Sequence, residues 1–327
     1  MGQELQRRTP ATPARRAEPS WPTVASNTVR LWLERHRGRR AAGRRLVLGV
    51  SVLAAMALGA GVTLAFTQRG PAPAAAQPAG LARSQDALQL AAAARQQAAR
   101  WITQQVASSV VVSCDPEMCM ELQKSGFPAG QLMELPPSAP DPLGSQLVVA
   151  TPVIRSQFGI RLATVYAPLV IASFGSGADR VDVRYLAPNG TTAFESELAT
   201  DEQDRVTAGE ELLTNKRVQA SPAARQALLA GHVDPRLLVT LSALAHLMPL
   251  HLVTFDDPSP GVNSDVPLRG AEIGAAASAG LPAMVAFLSA QQDPYAPAVA
   301  RITQIANGQS VVTVRYDAPG PMGLGGS

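Results

Sequence analysis

The pattern of apolar and polar positions divides the chain into one long uncharged run and a larger region where helical and strand periods alternate. Residues 46–67 carry no charge, and about 20 apolar residues span the ~30 Å hydrocarbon core of a bilayer as a helix. An arginine-rich block over 30–45 precedes the run, and positive charge beside a span stays in the cytoplasm. The sequence therefore predicts a single-pass cell-membrane protein with a cytoplasmic N-terminus and an extracellular C-terminal region.

The segments that flank this transmembrane helix lack apolar periodicity. Residues 1–45 predict a disordered basic cytoplasmic tail, 68–80 a Pro/Ala linker, and 319–327 a flexible tail. A cleaved signal peptide is the competing interpretation of the apolar run. The run is about twice as long as a usual signal-peptide core, and the charged segment before it is too long, so we favour an uncleaved anchor.

Residues 81–187 predict a first α/β lobe. An amphipathic helix over 81–107 comes first, and β-branched runs then alternate with helical stretches. This alternation predicts a parallel or mixed sheet that is covered on both faces. Apolar and polar residues alternate over 181–186, and this alternation predicts an edge strand. The other predicted elements are strands at 109–113, 131–135, 147–151 and 170–174, and helices at 116–125 and 152–165.

Residues 188–215 predict a helical connector, and 216–318 predict a second α/β lobe. Asn307-Gly308 between two short strands is typical of a hairpin turn. The fold class is thus α/β: a single transmembrane helix followed by a two-lobed ectodomain with mixed sheets. The elements predicted in the second lobe are helices at 222–230, 235–247 and 281–289, strands at 250–255, 302–305 and 311–316, and a loop at 256–267.

Charge is distributed unevenly along the chain. The net charge is +3, but residues 1–45 hold 11 Arg against 3 Glu, a balance of +8, which leaves −5 for the remainder. A nucleic-acid-binding protein needs a basic folded face, so nucleic acid is excluded as a partner. The basic tail can contact anionic headgroups, which makes membrane lipid a predicted partner.

Cys114 and Cys119 are the only cysteines, and both fall on the predicted outer side. Oxidising surroundings favour a disulfide, which stabilises so short a loop by about 2–3 kcal/mol at best. Free buried thiols are the first alternative. A redox or metal role is the second, but the Cys-x-x-Cys spacing is missing and zinc needs three or four ligands.

Asp256 and Asp257 follow a predicted strand that contains His251. Residues in this position are weak candidates for acid–base catalysis, because α/β active sites lie at strand ends. A solvated Asp-Asp-Pro turn is the favoured interpretation. No histidine pair has metalloprotease spacing, and no Gly-x-Ser-x-Gly elbow is present. The sequence therefore predicts no metal, no cofactor and no catalytic site beyond these candidates.

An ordered set of motifs over about residues 90–186 resembles a known domain. The stretches that carry it are 98–102, 114–115, 126–127, 141–142, 148–155 and 172–184. They resemble the extracytoplasmic C-terminal domain of actinobacterial phospholipid-carrier-dependent (mannosyltransferase-like) membrane glycosyltransferases. The resemblance covers only that accessory domain. It therefore implies association with envelope glycan or carrier lipid rather than glycosyl transfer.

Residues 233–272 resemble a degenerate D-Ala-D-Ala carboxypeptidase-like fold of the Hedgehog type. A helix over 233–245 and a strand over 250–255 carry the similarity. Val266 stands where that family's loop has its ligand histidine, and a zinc site cannot be assembled without this imidazole. The resemblance implies a lobe that has lost its catalysis and kept a cleft.

Together these features predict an actinobacterial membrane-anchored extracytoplasmic protein of the cell envelope that binds or scaffolds without catalysis. Its expected partners are cell-wall glycan, peptidoglycan or another membrane protein. Two alternatives stay open. One is an enzyme that modifies cell-wall glycan or peptidoglycan through Asp256, Asp257 and His251; the other is an anchored sensor or regulator that uses its basic tail.

Overall fold

The computed structural model describes residues 79–257, 259, 261–275, 280–306 and 308–322, with side chains from residue 85 onward. The predicted tail, the predicted membrane span at 46–67 and the linker up to residue 78 lie outside these residues. Among the helices described, none combines the length and the apolar character needed to cross a bilayer.

The first lobe is built around a five-stranded mixed sheet with the order β2-β1-β3-β5-β4. Strand β1 runs parallel to β2 and β3, whereas β5 runs antiparallel to β3 and β4. Its elements are α1 (Ala79–Gln105), β1 (Val112–Cys114), α2 (Pro116–Lys124), β2 (Leu132–Glu134), β3 (Leu147–Ala150), α3 (Pro152–Phe158), β4 (Leu169–Phe174) and β5 (Val181–Tyr185).

Strand β3 shows how this sheet is covered on both faces. Leu147 and Val149 belong to the core formed with α1 and α2. Val148 and Ala150 point the other way and pack with α3, because successive strand residues face opposite sides. The predicted sheet with two covered faces is confirmed.

Two details of the first lobe differ from the expectation. Strand β5 is not an edge strand: it lies between β3 and β4 with four buried residues. Its polar positions, Asp182 and Arg184, are paired inside the protein instead of facing water. The helix predicted over 152–165 ends at Phe158, because Gly159 adopts φ +55, and a π-helical turn over Leu162–Tyr166 follows.

The second lobe contains another five-stranded mixed sheet, in the order β6-β7-β8-β10-β9, with β6 parallel to β7 and the remaining pairs antiparallel. The predicted hairpin of the last two strands is confirmed. The α/β class with two mixed sheets is therefore confirmed. The elements are α4 (Thr191–Thr214), β6 (Val218–Ala220), α5 (Pro222–Leu229), α6 (Pro235–Leu247), β7 (Leu250–Asp256), β8 (Gly270–Ala275), α7 (Gly280–Ser289), β9 (Val299–Gln304) and β10 (Ser310–Arg315).

Four helices begin with the same two-residue signal, a capping side chain followed by proline. The capping oxygen accepts a hydrogen bond from a backbone N–H of the first turn, and proline fits the first helical position because no donor is needed there. The pairs are Asp115-Pro116, Thr151-Pro152, Ser221-Pro222 and Asp234-Pro235.

The predicted disulfide is confirmed. Cys114 ends β1, Cys119 lies in the first turns of α2, and their Cα atoms are 5.4 Å apart. Both residues are buried in the first-lobe core. The bond therefore joins the strand to the helix that Asp115 caps.

Removing this bond should destabilise the protein modestly. We expect replacement of both Cys114 and Cys119 by alanine to lower the free energy of unfolding by about 2 kcal/mol, because the closed loop is short. Urea denaturation of the full-length chain measures this. A reductant should lower the stability of the wild type and leave the variant unchanged; equal stability of the two proteins in oxidising buffer would contradict the prediction.

Candidate functional site

A narrow cleft lies between the two lobes, and we call it the interlobe cleft. Its lining comes from α1, β4, β5, α4, the start of α6, the loop at 262–269 and the C-terminal segment at 318–322. The space in the cleft that water-sized molecules can enter is small, about 50 Å³. Most of the lining is apolar, and segments far apart in the sequence meet there.

The loop after β7 joins the lobes by extending the first sheet. The backbone N–H of Ser173 donates to the carbonyl of Gly261 at 2.7 Å, and that of Asn263 donates to Ile171 at 3.1 Å. These bonds lie on the edge of β4 opposite β5, where no other strand of the described residues pairs. Gly261 has φ +86, and a Cβ there would lie 2.7 Å from the Phe174 ring. Glycine is required because this position needs a positive φ and a close approach.

The chain after β10 forms a second connection. Ala318 donates its N–H to the carbonyl of Gln105 at 2.6 Å, and its own carbonyl accepts from Ala107 at 2.9 Å. Residues 319–322, which the sequence assigned to a flexible tail, are half-buried and line the cleft. The end of the second lobe is thus attached to the end of α1.

Arg269 lies where these connections meet, and it is only 2% exposed. Its Nε and Nη2 are each 2.7 Å from Oδ2 of Asp257. Its Nη1 donates to the carbonyls of Gln105 and Tyr316 at 3.3 Å, and its guanidinium lies 5.9 Å from the centre of the Trp101 ring. One buried cation therefore contacts α1, the loop after β7 and the end of β10.

The other charges at the cleft are also paired within the protein. Asp234 binds Arg236 through both carboxylate oxygens, at 2.9 and 2.8 Å, and this guanidinium lies 4.8 Å from the centre of the Tyr316 ring. Asp201 and Arg205 form a buried ion pair one turn apart on α4. Each of these carboxylates already has a cationic partner.

The structure separates the three candidate catalytic residues. Asp257 is buried against Arg269, and Asp256 is the last residue of β7. His251 lies at the other end of that strand, beside Gln219 and Gly274 of its neighbours. Five residues of extended chain span about 17 Å. His251 therefore does not reach the two aspartates, and the three side chains do not form one site.

Burial shifts the pKa of several groups at or near the cleft, and two of these groups are carboxyls. It raises the pKa of Asp256, and the adjacent Asp257 adds to this rise. It also raises the pKa of Asp317, with the nearby arginines acting in the opposite direction. Among the described residues, no group of three or more His, Cys, Asp or Glu side chains is placed to hold a metal ion. Val266, which the second resemblance places at the position of a ligand histidine, lines the cleft.

A second, more open groove lies at the carboxyl ends of the parallel strands of the first sheet, with Pro116, Leu135, Pro152 and Val153 in its lining. This edge is where α/β proteins commonly bind ligands. The polar side chains beside this groove, Asp115 and Thr151, serve the fold: the hydroxyl of Thr151 donates to the carboxylate of Asp115, and both side chains cap helices. We place the candidate site in the interlobe cleft, which is the more enclosed of the two.

The motif residues behind the first resemblance form a polar network inside the first lobe. Asp182 is fully buried, and its carboxylate lies 2.9 Å from Nε of Arg180. Arg155 donates to the carbonyls of Ala178, at 2.6 Å, and of Arg180. These motif residues thus form ion pairs and hydrogen bonds with one another inside the first lobe.

Comparisons with known proteins find no matching family model, no matching curated protein and no matching solved structure. The two resemblances therefore stay predictions.

Sequence reasoning missed the charged residues that line the cleft, Asp201, Arg205, Asp234 and Arg269, and it missed Arg236, which pairs with Asp234. One signal was present: Arg236 opens an apolar helix directly after Asp234-Pro235. A charge at the start of an otherwise buried helix needs a partner, because an unpaired buried charge is costly.

Arg269→Met should be strongly destabilising, since it leaves the carboxylate of Asp257 buried without its cation. We expect a loss of about 3–5 kcal/mol in the free energy of unfolding. Lys124→Met is the control, because Lys124 is exposed and lies 3.6 Å from Glu121; it should cost less than about 1 kcal/mol. Urea denaturation of the full-length proteins measures both. Equal losses in the two variants would contradict the assigned role of Arg269.

Asp256→Asn should stabilise the protein at neutral pH. The folded state raises the pKa of Asp256 above its ordinary value of 3.8. The stability that this carboxyl contributes is therefore fully present below that value and is lost as the pH rises through the raised pKa. Asparagine stays neutral, so the variant should exceed the wild type at pH 7 and match it at pH below 3.8.

Urea denaturation across this pH range measures the difference, and Asp204→Asn, on the exposed face of α4, is the control. A variant that loses stability at pH 7, or gains no more than the control, would contradict the prediction.

Proposed function

We propose that this chain is a membrane-anchored, extracytoplasmic binding or scaffolding protein of the bacterial cell envelope, and that the interlobe cleft is its ligand-binding site. The observation that carries the proposal is the cleft itself. Its walls are mainly apolar, and the charged residues beside it form ion pairs with one another. Ligand sites in proteins are commonly lined by apolar side chains and are common where structural units meet.

The arrangement of the carboxylates supports binding rather than catalysis. Asp201, Asp234 and Asp257 are all held by arginines. A general acid or base must exchange a proton with its substrate, and a carboxylate that is bound to a buried guanidinium is poorly suited to this. These aspartates instead stabilise the walls of the cleft.

The disulfide supports the extracytoplasmic placement, because disulfides persist in oxidising compartments. The uncharged run at 46–67 and the arginines before it support the anchor and its orientation. In this placement the partners we propose are wall glycan, peptidoglycan, another membrane protein or membrane lipid.

Labelling of intact cells with a membrane-impermeant maleimide tests the orientation. We expect Glu195→Cys, at an exposed position of α4, to react in intact cells. Ser26→Cys, in the predicted cytoplasmic tail, should react only after lysis, because the reagent does not cross the membrane. The native cysteines are bonded to each other, so the wild type controls for background. The reverse pattern would contradict the proposal.

A cell-wall-modifying enzyme is a second candidate, favoured by one observation. Burial and Asp257 raise the pKa of Asp256 at a strand end, and a raised pKa is what a carboxylic general acid requires. The Asp256→Asn variant separates the two roles. Only an enzyme would lose its hydrolysis of purified wall fragments on this change.

A further inference from the structure

We infer that a separate pocket beside the C-terminal half of α1 binds an uncharged saccharide, and we call it the α1 pocket. The space in it that water-sized molecules can enter is about 440 Å³, and Trp101 is the one described residue that it shares with the interlobe cleft. The inference goes beyond the proposed function, because it assigns a ligand class to a different surface. The lining consists of Gln97, Arg100, Trp101, Gln104, Gln105 and Phe174.

The lining residues of α1 lie on one face of the helix, because positions 97, 100, 101, 104 and 105 are three or four residues apart. Gln97, Arg100 and Gln104 are exposed at the rim, whereas Trp101 and Gln105 are buried at the base. The carbonyl of Gln105 accepts the N–H of Ala318 at 2.6 Å, which fixes the end of the helix. The pocket is therefore preformed, and this lowers the cost of ordering it around a ligand.

Two buried polar atoms of the lining have no hydrogen-bond partner within the described part of the chain. One is Nε1 of Trp101, a donor on a residue that is 4% exposed; the other is Oε1 of Gln105, an acceptor on a residue that is 8% exposed. Buried polar groups in proteins are almost always paired. The ligand that completes this pocket therefore accepts one hydrogen bond and donates another.

A saccharide hydroxyl meets this requirement with a single oxygen, because a hydroxyl both donates and accepts. An anion does not meet it, since its oxygens only accept and would face Oε1 of Gln105. A peptide unit is also poorly matched: it is planar and trans, so its N–H and its carbonyl point in opposite directions. Trp101 and Gln105 lie one turn apart on the same helix face. The ligand is therefore uncharged and rich in hydroxyls.

The other lining groups fit the two kinds of surface that a sugar ring presents. The rings of Trp101 and Phe174, with their centroids 6.0 Å apart, offer apolar surface to the C–H face of the sugar. The amides of Gln97 and Gln104 donate and accept at the rim, and the guanidinium of Arg100 donates. Among the described lining residues none is a carboxylate, so the pocket binds a saccharide without an acid–base pair to cleave it.

Indole NMR of the full-length protein in phospholipid nanodiscs tests the inference. The chain has three tryptophans, Trp21, Trp32 and Trp101. Isotope-labelled tryptophan gives one Nε1–H resonance for each, and Trp21→Phe and Trp32→Phe assign them. Three neutral oligosaccharides, chitotetraose, cellotetraose and mannotetraose, are added from solution. Diglucosyldiacylglycerol in the nanodisc is a second arm, which distinguishes a membrane-linked saccharide from a soluble one, and the neutral peptide acetyl-tetraalanine amide is a third.

We expect a saccharide in at least one of the first two arms to shift the Trp101 resonance, and a soluble oligosaccharide to leave those of Trp21 and Trp32 in place. Equal shifts of all three resonances by the soluble oligosaccharides would overturn the inference. A shift by the peptide at a lower concentration than by any saccharide would overturn it in favour of a peptide ligand. No shift of Trp101 by any probe at its solubility limit would also overturn it, and would leave the proposal for the interlobe cleft standing.

Gln105→Met separates binding from a structural role, because it removes the acceptor and keeps the size of the side chain. It should weaken the apparent Kd of the saccharide about tenfold, and it should leave the free energy of unfolding of the free protein unchanged or raised, since the lost oxygen had no partner. A lower free energy of unfolding would show that this oxygen is paired within the chain, and would overturn the inference.

Gln97→Ala repeats the binding test at the exposed rim, where a substitution does not threaten folding, and should also weaken the Kd. Gln96→Ala is the matched control, because Gln96 is exposed on the same helix and lies outside the lining; it should bind as the wild type does. An unchanged Kd in both Gln105→Met and Gln97→Ala, or equal losses in Gln96→Ala and Gln97→Ala, would overturn the inference.

Discussion

The buried ion pair of Arg269 and Asp257 is the interaction on which the arrangement of the two lobes depends. A guanidinium that is 2% exposed is tolerated only when its charge and its donors have partners. The partners here come from three separate parts of the chain: the carboxylate of Asp257 and the carbonyls of Gln105 and Tyr316. Satisfying this one side chain therefore requires the end of α1, the loop after β7 and the end of β10 to meet.

The same requirement shapes the cleft. The loop that carries Asp257 continues into the residues that extend β4, and the strand that ends at Tyr316 continues into the segment that lines the cleft. The pairs Asp234–Arg236 and Asp201–Arg205 neutralise the remaining charge beside it. The walls thus present mainly apolar side chains, although ionised residues surround them.

Local signals in the sequence predicted much of the fold but little of the site. Proline after a capping residue marks four helix starts, and β-branched runs mark β1, β3 and β10. Strand β8 was missed because Gly270–Ala275 consists mostly of small residues. Strand β5 was predicted at the sheet edge because Asp182 and Arg184 alternate with apolar residues, as polar residues do in a half-exposed strand, whereas the two form a buried pair. Arg269 contacts the carbonyl of Gln105 across 164 positions of sequence, so no local pattern could indicate this contact.

If the buried ion pair unites the lobes, the two sheets should unfold as one unit. Native-state hydrogen exchange of the full-length protein, followed by mass spectrometry at increasing urea, measures this directly, because amides that open together show the same free energy of opening. We expect amides of β1, β3 and β5 to lose protection at the same urea concentration as those of β7, β8 and β10. Loss of protection by one sheet while the other stays protected would contradict it.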